Sequence, residues 1–328
     1  MAQWCIGIDL GGTFIKFALL NDSGEATETF QLPTPIEQGA DAVVQRMTDG
    51  AKQAITRHDL ADEDIIAIGI GAPGPLDIDN GVVMAMPNIP GMDGLPLRDK
   101  VAGELGKKAF LANDANAAAM GEYLCGAGKG TQHMVMLTLG TGVGSGIVID
   151  GKLFLGAYKI GGEFGHMIIE PGGEPCGCGQ RGCLERYCSA TYMAQFAQRR
   201  IAEDGADSAL ATVLKEKGTL DARDVNEACR AGDALAGEVW DRAAYYIALA
   251  CVNICRILDP QQVILTGGMA RAGDDLLGPV CEHFNRLNWS LTESRMKISL
   301  ATLGSDAGAI GAAGVAWEAV RRARGAQL

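Results

Sequence analysis

The chain has 328 residues, 48% of them hydrophobic, which is enough for a large core and for two lobes. Its 40 acidic residues against 28 basic ones leave a net charge of −12 with no basic block, which argues against a nucleic-acid partner or an anionic membrane surface. An acidic chain still binds phosphorylated ligands where backbone N–H groups and a metal ion make the contact.

Taken in chain order, the opening "MAQWCIGIDLGGT" has no basic n-region, no long apolar core and no small-residue cleavage site, so the expected compartment is the cytoplasm. "WCIGIDL" and "FIKFALL" flank a Gly-Gly and predict a hairpin. Lys16, in the second of these, reads as an exposed strand lysine. An amphipathic stretch from about Gly39 to Arg57 follows, then an apolar strand, "IIAIGIGA". "AFLAND" predicts another strand and "ANAAAMGEYL" the helix after it. "HMVMLTLGTGVGSGIVIDG" then repeats strand, Gly/Thr turn and strand, which points to duplication and two related lobes. Past residue 183 the pattern is mostly helical, with a long helix over about Ala234–Leu258, a short strand in "QQVILTGGM" and a final helix from near Asp306. The apolar run "AAYYIALACVNICRIL" contains Asn253 and Arg256 and falls short of the ~18 residues a membrane-spanning helix needs. The alternation is that of an α/β protein. The first lobe is expected over residues 1–114, with a C-terminal helix at about 305–323 returning to it. The larger second lobe is expected over 115–304.

Cys5, Cys125, Cys229, Cys251, Cys255 and Cys281 are scattered and read as small buried hydrophobes in a reducing compartment. Cys176, Cys178 and Cys183 are different, because they cluster with His166 in a glycine-rich stretch, "GEFGHMIIEPGGEPCGCGQRGCLER". Three thiolates and an imidazole make a closed tetrahedral set, the composition of structural zinc. A disulfide would leave one cysteine over and does not suit the cytosol. A metal there would pin a loop that cannot order itself by apolar burial, at a backbone cost of ~1–2 kcal/mol per residue. Glu163 and Glu185 bracket the loop, and both are good acceptors for polyol hydroxyls.

"DLGGT" (Asp9 to Thr13) places an acid at a strand end, then two glycines and a hydroxyl. The glycines admit phosphate oxygens to backbone N–H groups, Thr13 adds a donor, and Asp9 can hold Mg²⁺ directly or through water. A plain hairpin turn would need only the glycines. "LGTGVGSG" offers the same chemistry with Gly140, Thr141, Gly142 and Gly144, and the pair is a stronger signal than either alone. Two other matches fail. "GIGAPG" fits a dinucleotide fingerprint, but Pro73 and Pro75 forbid the helix that should follow. "GAGKGT" resembles the end of a phosphate-binding P-loop, but Gly130 follows Lys129. Asp114 stands where a strand hands over to a helix. Alone it reads as a helix N-cap; beside two phosphate loops it reads as a general base at the mouth of a cleft between the lobes.

With "IDLGGT", Pro87–Asn88, "NDANAAA", "LGTGVGSG", "EFGH", "CGCGQRGCLE" and "LTGGM" spread over nearly its whole length, the chain resembles the ROK sugar kinases, and within them the bacterial-type glucokinases. The resemblance implies two ribonuclease-H-like α/β lobes around a central cleft, as in the actin/hexokinase/Hsp70 fold group. It implies ATP, Mg²⁺ and a hexose as ligands, structural Zn²⁺ on His166, Cys176, Cys178 and Cys183, and Asp114 as the base. Asn88, Asn113, Asp114, Glu163, His166 and Glu185 would bind the sugar. Asp9, Gly11, Gly12, Thr13, Thr141 and Gly142 would face the phosphates and metal, and Gly267 and Gly268 the adenosine. The expected reaction is glucose to glucose 6-phosphate, with mannose, fructose, allose, N-acetylglucosamine or N-acetylmannosamine as alternative sugars. A polyphosphate donor would favour a basic groove, which the charge of −12 opposes. The family also contains sugar-sensing repressors. These need a helix-turn-helix before the first lobe, and the first strand here is expected within a few residues of Met1. A homodimer is the expected assembly, from the family tendency and the apolar content.

Overall fold

The computed structural model describes residues 2–86, 88–289, 291 and 294–325. In chain order its first elements are β1 (Trp4–Leu10), β2 (Phe14–Asn21), β3 (Phe30–Pro33), α1 (Gly39–Arg57), β4 (Ile65–Ala72), β5 (Leu76–Asp77), β6 (Val82–Val83), α2 (Leu97–Leu105), β7 (Ala109–Asn113) and α3 (Asp114–Cys125). Then come β8 (Met134–Leu139), β9 (Val143–Ile149), β10 (Lys152–Leu153), α4 (Glu185–Cys188), α5 (Ala190–Asp204), α6 (Ala209–Lys217), α7 (Ala222–Arg230) and α8 (Ala234–Leu258). The chain closes with β11 (Gln262–Thr266), α9 (Asp274–Leu287), β12 (Lys297–Leu300) and α10 (Ala307–Ala323). Helices α1 and α8 have the bounds that their periodicity predicts. No helix among the described residues is long and apolar enough to cross a membrane.

The chain divides into two compact units, one of residues 1–132, 146–161 and 302–328, the other of 133–145 and 162–301. The first holds a five-stranded sheet in the order β3-β2-β1-β4-β7. Strand β1 is antiparallel to β2, β2 to β3, and β1, β4 and β7 run parallel. The run "IIAIGIGA" is apolar on both faces because β4 is a central parallel strand covered on both sides. On one face, Phe17 stacks on Phe30 at 5.0 Å between centroids and packs with Ile6, Ile8, Met47 and Ile68. Burying each such side chain contributes roughly 1.5–3 kcal/mol. On the other face α10 lies against β1, β2 and β4, and α3 packs on α10, so residues 115–125 belong to this unit. The approach is a backbone one: a Cβ on Gly7 would stand 1.8 Å from the Ala309 carbonyl oxygen and one on Gly69 1.7 Å from that of Ala312. That explains why an apolar strand carries glycine at its centre.

The other sheet has the order β10-β9-β8-β11-β12, with β10 antiparallel to β9 and β11 parallel to both β8 and β12. This is the first sheet's plan again, so the duplication legible in the two Gly/Thr turns extends to whole sheets. Both are ribonuclease-H-like α/β arrangements. No helix follows "GIGAPG", where the chain turns into β5 instead.

Candidate active site

In parallel α/β sheets ligands collect at the carboxyl ends of the strands. In the first unit those ends carry Asp9 on β1 and Asn113 on β7, with Asp114 next in the chain, and Gly71 and Ala72 of β4 stand between them in register. The turn after β1 closes through Gly11, whose N–H donates to the Phe14 carbonyl at 3.1 Å, and Gly12 and Thr13 are exposed at its tip. Thr34 braces it, its hydroxyl donating to the Gly11 carbonyl at 2.7 Å and its N–H to that of Thr13 at 3.0 Å.

The Asp9 carboxylate lies against the start of α10. A Cβ on Gly308 would come 2.5 Å from Asp9 Oδ2, so only glycine leaves that carboxylate its place. Lys16 is the cross-strand partner of Asp9 and therefore shares its face. It is partly buried rather than exposed as its sequence setting suggests, because its ammonium donates to the Ser305 carbonyl at 2.6 Å. Burial raises the Asp9 pKa to about 6, against the lowering effect of Lys16 and with a further rise from Asp114. A divalent cation is the natural partner for such a carboxylate.

Helix α3 begins differently from the cap expected at Asp114. Asn113 is the N-cap, its Oδ1 accepting from the N–H groups of Ala115 at 3.0 Å and Asn116 at 3.4 Å. Asp114 is the first helical residue; the residue as a whole is exposed, but its carboxyl is turned in among protein groups, where Oδ1 accepts from the Ala115 N–H at 2.8 Å. Burial of its carboxyl among surrounding groups raises its pKa, while the Ala115 N–H and the Asn113 side chain act the other way. Asn88 is exposed in the turn between β6 and α2. Pro87, the other half of that motif, lies outside the described residues.

In the second unit the turn after β8 holds Thr141, exposed, and Gly142. Gly140 N–H donates to the Gly142 carbonyl at 3.0 Å, and the Gly140 carbonyl accepts from Ala190, at the start of α5, at 2.8 Å. Gly267 and Gly268 follow β11, whose end is in register with that of β8. Gly267 has φ +92° and a Cβ there would stand 2.5 Å from the Leu139 carbonyl oxygen, so the two turns lie side by side. Glu185, the first residue of α4, reaches this turn and accepts the Val143 N–H at 3.0 Å through Oε2.

Glu163, exposed, leads into a short 3-10 turn, Phe164–His166. His166, Cys176, Cys178 and Cys183 come together with every ligand atom within 4.8 Å of the others. His166 Nδ1 and Cys176 Sγ are 3.7 Å apart, and Cys178 and Cys183 Sγ 3.6 Å. Ligands of a tetrahedral zinc ion with bonds of ~2.3 Å stand ~3.7 Å from one another, so the donor set fits that ion. With Nδ1 turned to the cluster, the imidazole has Nε2 left for another partner. A backbone N–H from Gln180 lowers the Cys178 pKa to about 7, whereas burial pushes Cys183 up to about 12. A bound cation would deprotonate both. Gly182, at φ +80°, keeps the loop tight, since a Cβ there would meet the Glu170 carbonyl oxygen at 1.9 Å.

Two sheets of one plan, with glycine turns at their strand ends and a Cys₃His cluster beside the second, place the chain in the ribonuclease-H-like class. The ROK family model matches residues 5–319, and the chain belongs to the ROK family. It is 39% identical over 310 residues to a glucokinase of Halalkalibacterium halodurans, covering 94% of this chain and 93% of that one. Among solved structures it is similar to the ROK hexokinase of Thermus thermophilus, with a TM-score of 0.83, 32% identity, and coverage of 98% of this chain and 100% of that one. It is also similar to a ROK family glucokinase from Streptomyces griseus in complex with glucose and AMPPNP, with a TM-score of 0.73, 33% identity, and coverage of 96% and 99%.

Gly308, Gly165 and the tie from Lys16 to Ser305 escape a reading of the sequence alone. The one available signal was the small-residue run "AGAIGAAG" in the last helix, which is pointless on a surface and sensible only where backbone or a carboxylate must come close.

Proposed function

We propose that this chain is a cytoplasmic ATP-dependent hexose kinase that converts glucose to glucose 6-phosphate, with Asp114 as general base. The observation that carries the reading is Asp114 itself: a carboxylate just past the Asn113 N-cap, at the strand ends near Asp9, with its pKa raised. Its carboxylate accepts the proton of the attacking sugar hydroxyl as the new bond to the γ-phosphorus forms and the bond to the ADP oxygen breaks. The transition state is loose, so the proton leaves late and a modest base suffices.

Other roles follow from donor chemistry. Asn88 and Asn113 in the first unit, and Glu163, His166 through Nε2, and Glu185 in the second, take sugar hydroxyls. Fixing the line of attack in this way supplies up to ~7–11 kcal/mol of the barrier reduction. Gly11, Gly12, Thr13, Thr141 and Gly142 offer donors to phosphate oxygens, and Gly267 and Gly268 a flat surface to the adenosine. Asp9 holds Mg²⁺, which when bound neutralises charge on the phosphates. Zinc on His166, Cys176, Cys178 and Cys183 is structural, and the working assembly is a homodimer.

The test is release of ADP from ATP and Mg²⁺ against a panel of hexoses and N-acetylhexosamines. Selective turnover of glucose is expected. Turnover of another sugar would keep the mechanism and replace the substrate, and silence across the panel would overturn the reading.

A further inference from the structure

The turn Gly140–Gly142 carries one side chain, that of Thr141, and it is exposed. The turn is held from the cysteine module on two sides, and every contact lies within the second unit. On the histidine side, the metal-ligating turn rests on β9: a Cβ on Gly165 would be 2.0 Å from the Val143 carbonyl oxygen. Ser145 bridges the same place, its hydroxyl donating to the Gly162 carbonyl and accepting the Phe164 N–H at 3.1 Å. On the cysteine side, Glu185 stands two residues after Cys183. Its Oε2 takes the Val143 N–H, and it fills the space in which a Cβ on Gly142 would lie 2.3 Å away. The start of the next helix, α5, binds the turn again, the Ala190 N–H donating to the Gly140 carbonyl at 2.8 Å.

We propose that Glu185 is a positioning residue for the nucleotide: through Oε2 and the Val143 N–H it fixes the turn Thr141–Gly142 in the shape that receives the phosphates. This rests on the reading above that the turn faces ATP. A carboxylate bound to a backbone N–H is a charge-assisted acceptor, stronger than a neutral one. Its second oxygen, Oε1, remains for a sugar hydroxyl, so one side chain serves the acceptor through one oxygen and the donor's loop through the other. The metal ligands at either end of the module place both clamps, so a module that reads in sequence as a sugar-recognition loop also sets the phosphate turn.

The experiment is calorimetric titration of AMPPNP with Mg²⁺ into the zinc-loaded full chain, with and without saturating glucose. Glu185→Ala removes the acceptor and is expected to weaken the nucleotide about tenfold. Glu185→Asp draws the carboxylate back by a methylene and is expected to do the same, giving a second variant should the first not fold. Glu185→Gln keeps an acceptor oxygen and is expected to bind nucleotide within about threefold of the wild type while sugar binding falls further. Thr141→Val tests the turn itself. Nucleotide affinity lost in Thr141→Val but unchanged in Glu185→Ala and Glu185→Asp would overturn the positioning role and leave the nucleotide site standing. Affinity unchanged in all of these variants would overturn the nucleotide assignment of the turn, and the positioning role with it.

Discussion

In the first unit the turn after β1 carries its own carboxylate, Asp9, two residues before the glycines begin. The turn after β8 carries none and receives Glu185 from 42 residues beyond Val143. Each carboxylate occupies a space that a glycine leaves empty, Gly308 for Asp9 and Gly142 for Glu185. The environments are opposite. Asp9 is held with its pKa raised to about 6, next to a lysine whose ammonium is shared with a carbonyl. Glu185 has a backbone N–H as its fixed partner. A duplicated strand–turn–strand device has thus kept its backbone and diverged in its acid: one suits a cation, the other stiffens a turn.

The largest effect is expected where the first unit carries a carboxylate with no counterpart in the second. Asp114→Asn should lower kcat by about 10²–10⁴-fold and leave sugar affinity by calorimetry within a few-fold. A variant that keeps most of its kcat would remove the base assignment. Next come the two glycines. Gly308→Ala and Gly142→Ala each drive a methyl into a carboxylate and should cost on the order of 10²-fold in kcat/KM. The two should separate in steady-state kinetics, Gly308→Ala raising the Mg²⁺ requirement and Gly142→Ala the KM for ATP. If both show the same pattern, the distinction between a cation carboxylate and a clamp carboxylate is lost.

Removing the metal strikes the second unit only through its loop. Cys183→Ser, or exhaustive chelation, is expected to lower Tm by on the order of 5–10 °C, which at this size corresponds to a few kcal/mol. Metal content measured on the same samples ties the shift to the ion, and an unchanged Tm in metal-free protein would show that the loop orders itself.

Asp9 offers a smaller effect of opposite sign. Its carboxyl is raised in the folded chain from 3.8 to about 6, so the folded state binds the proton more tightly than the unfolded one. That contribution favours folding below the unfolded value and is lost as pH rises through about 6. In Mg²⁺-free buffer at pH 8, Asp9→Asn should therefore be more stable than the wild type by on the order of 2–3 kcal/mol, while losing activity. The gain should shrink at pH 5. A denaturant series at both values checks this, and a destabilised variant at pH 8 would show that Asp9 is better solvated than its surroundings suggest.

The finest distinction is in pH. Asp114 must be ionised to accept a proton and its pKa is raised by burial, so kcat/KM should fall on the acid side at a higher pH than an ordinary aspartate would give. That limb should be absent from the residual activity of Asp114→Asn.

Much of this molecule is legible before folding. Strands and helices with strong periodicity, such as β4, α1 and α8, and the Cys₃His spacing are local signals, each written within a few turns of chain or a short loop. The Gly/Thr turns after β1 and β8 are equally local, and their repetition already implies the duplicated sheets. Shorter elements such as β3, β10 and β12 have too few residues for a period to register, and they form because a neighbouring strand edge offers hydrogen bonds. Asp114 was legible as an acid at a strand–helix junction, but Asn113 takes the cap because its backbone is extended there while Asp114 has already turned helical.

What the sequence by itself determined is the inventory: which acids, glycines and thiols exist, and which local element carries each. Tertiary structure alone decided their partners, setting Gly308 against Asp9, Lys16 on Ser305 across 289 residues, and Glu185 on Val143. The physical reason is that a hydrogen bond or a vacant Cβ position depends on which backbones are brought within a few ångströms. Between residues so far apart in the chain, that proximity is set by the packing of α10 on the first sheet and of the cysteine module on the second turn, and no local pattern encodes it.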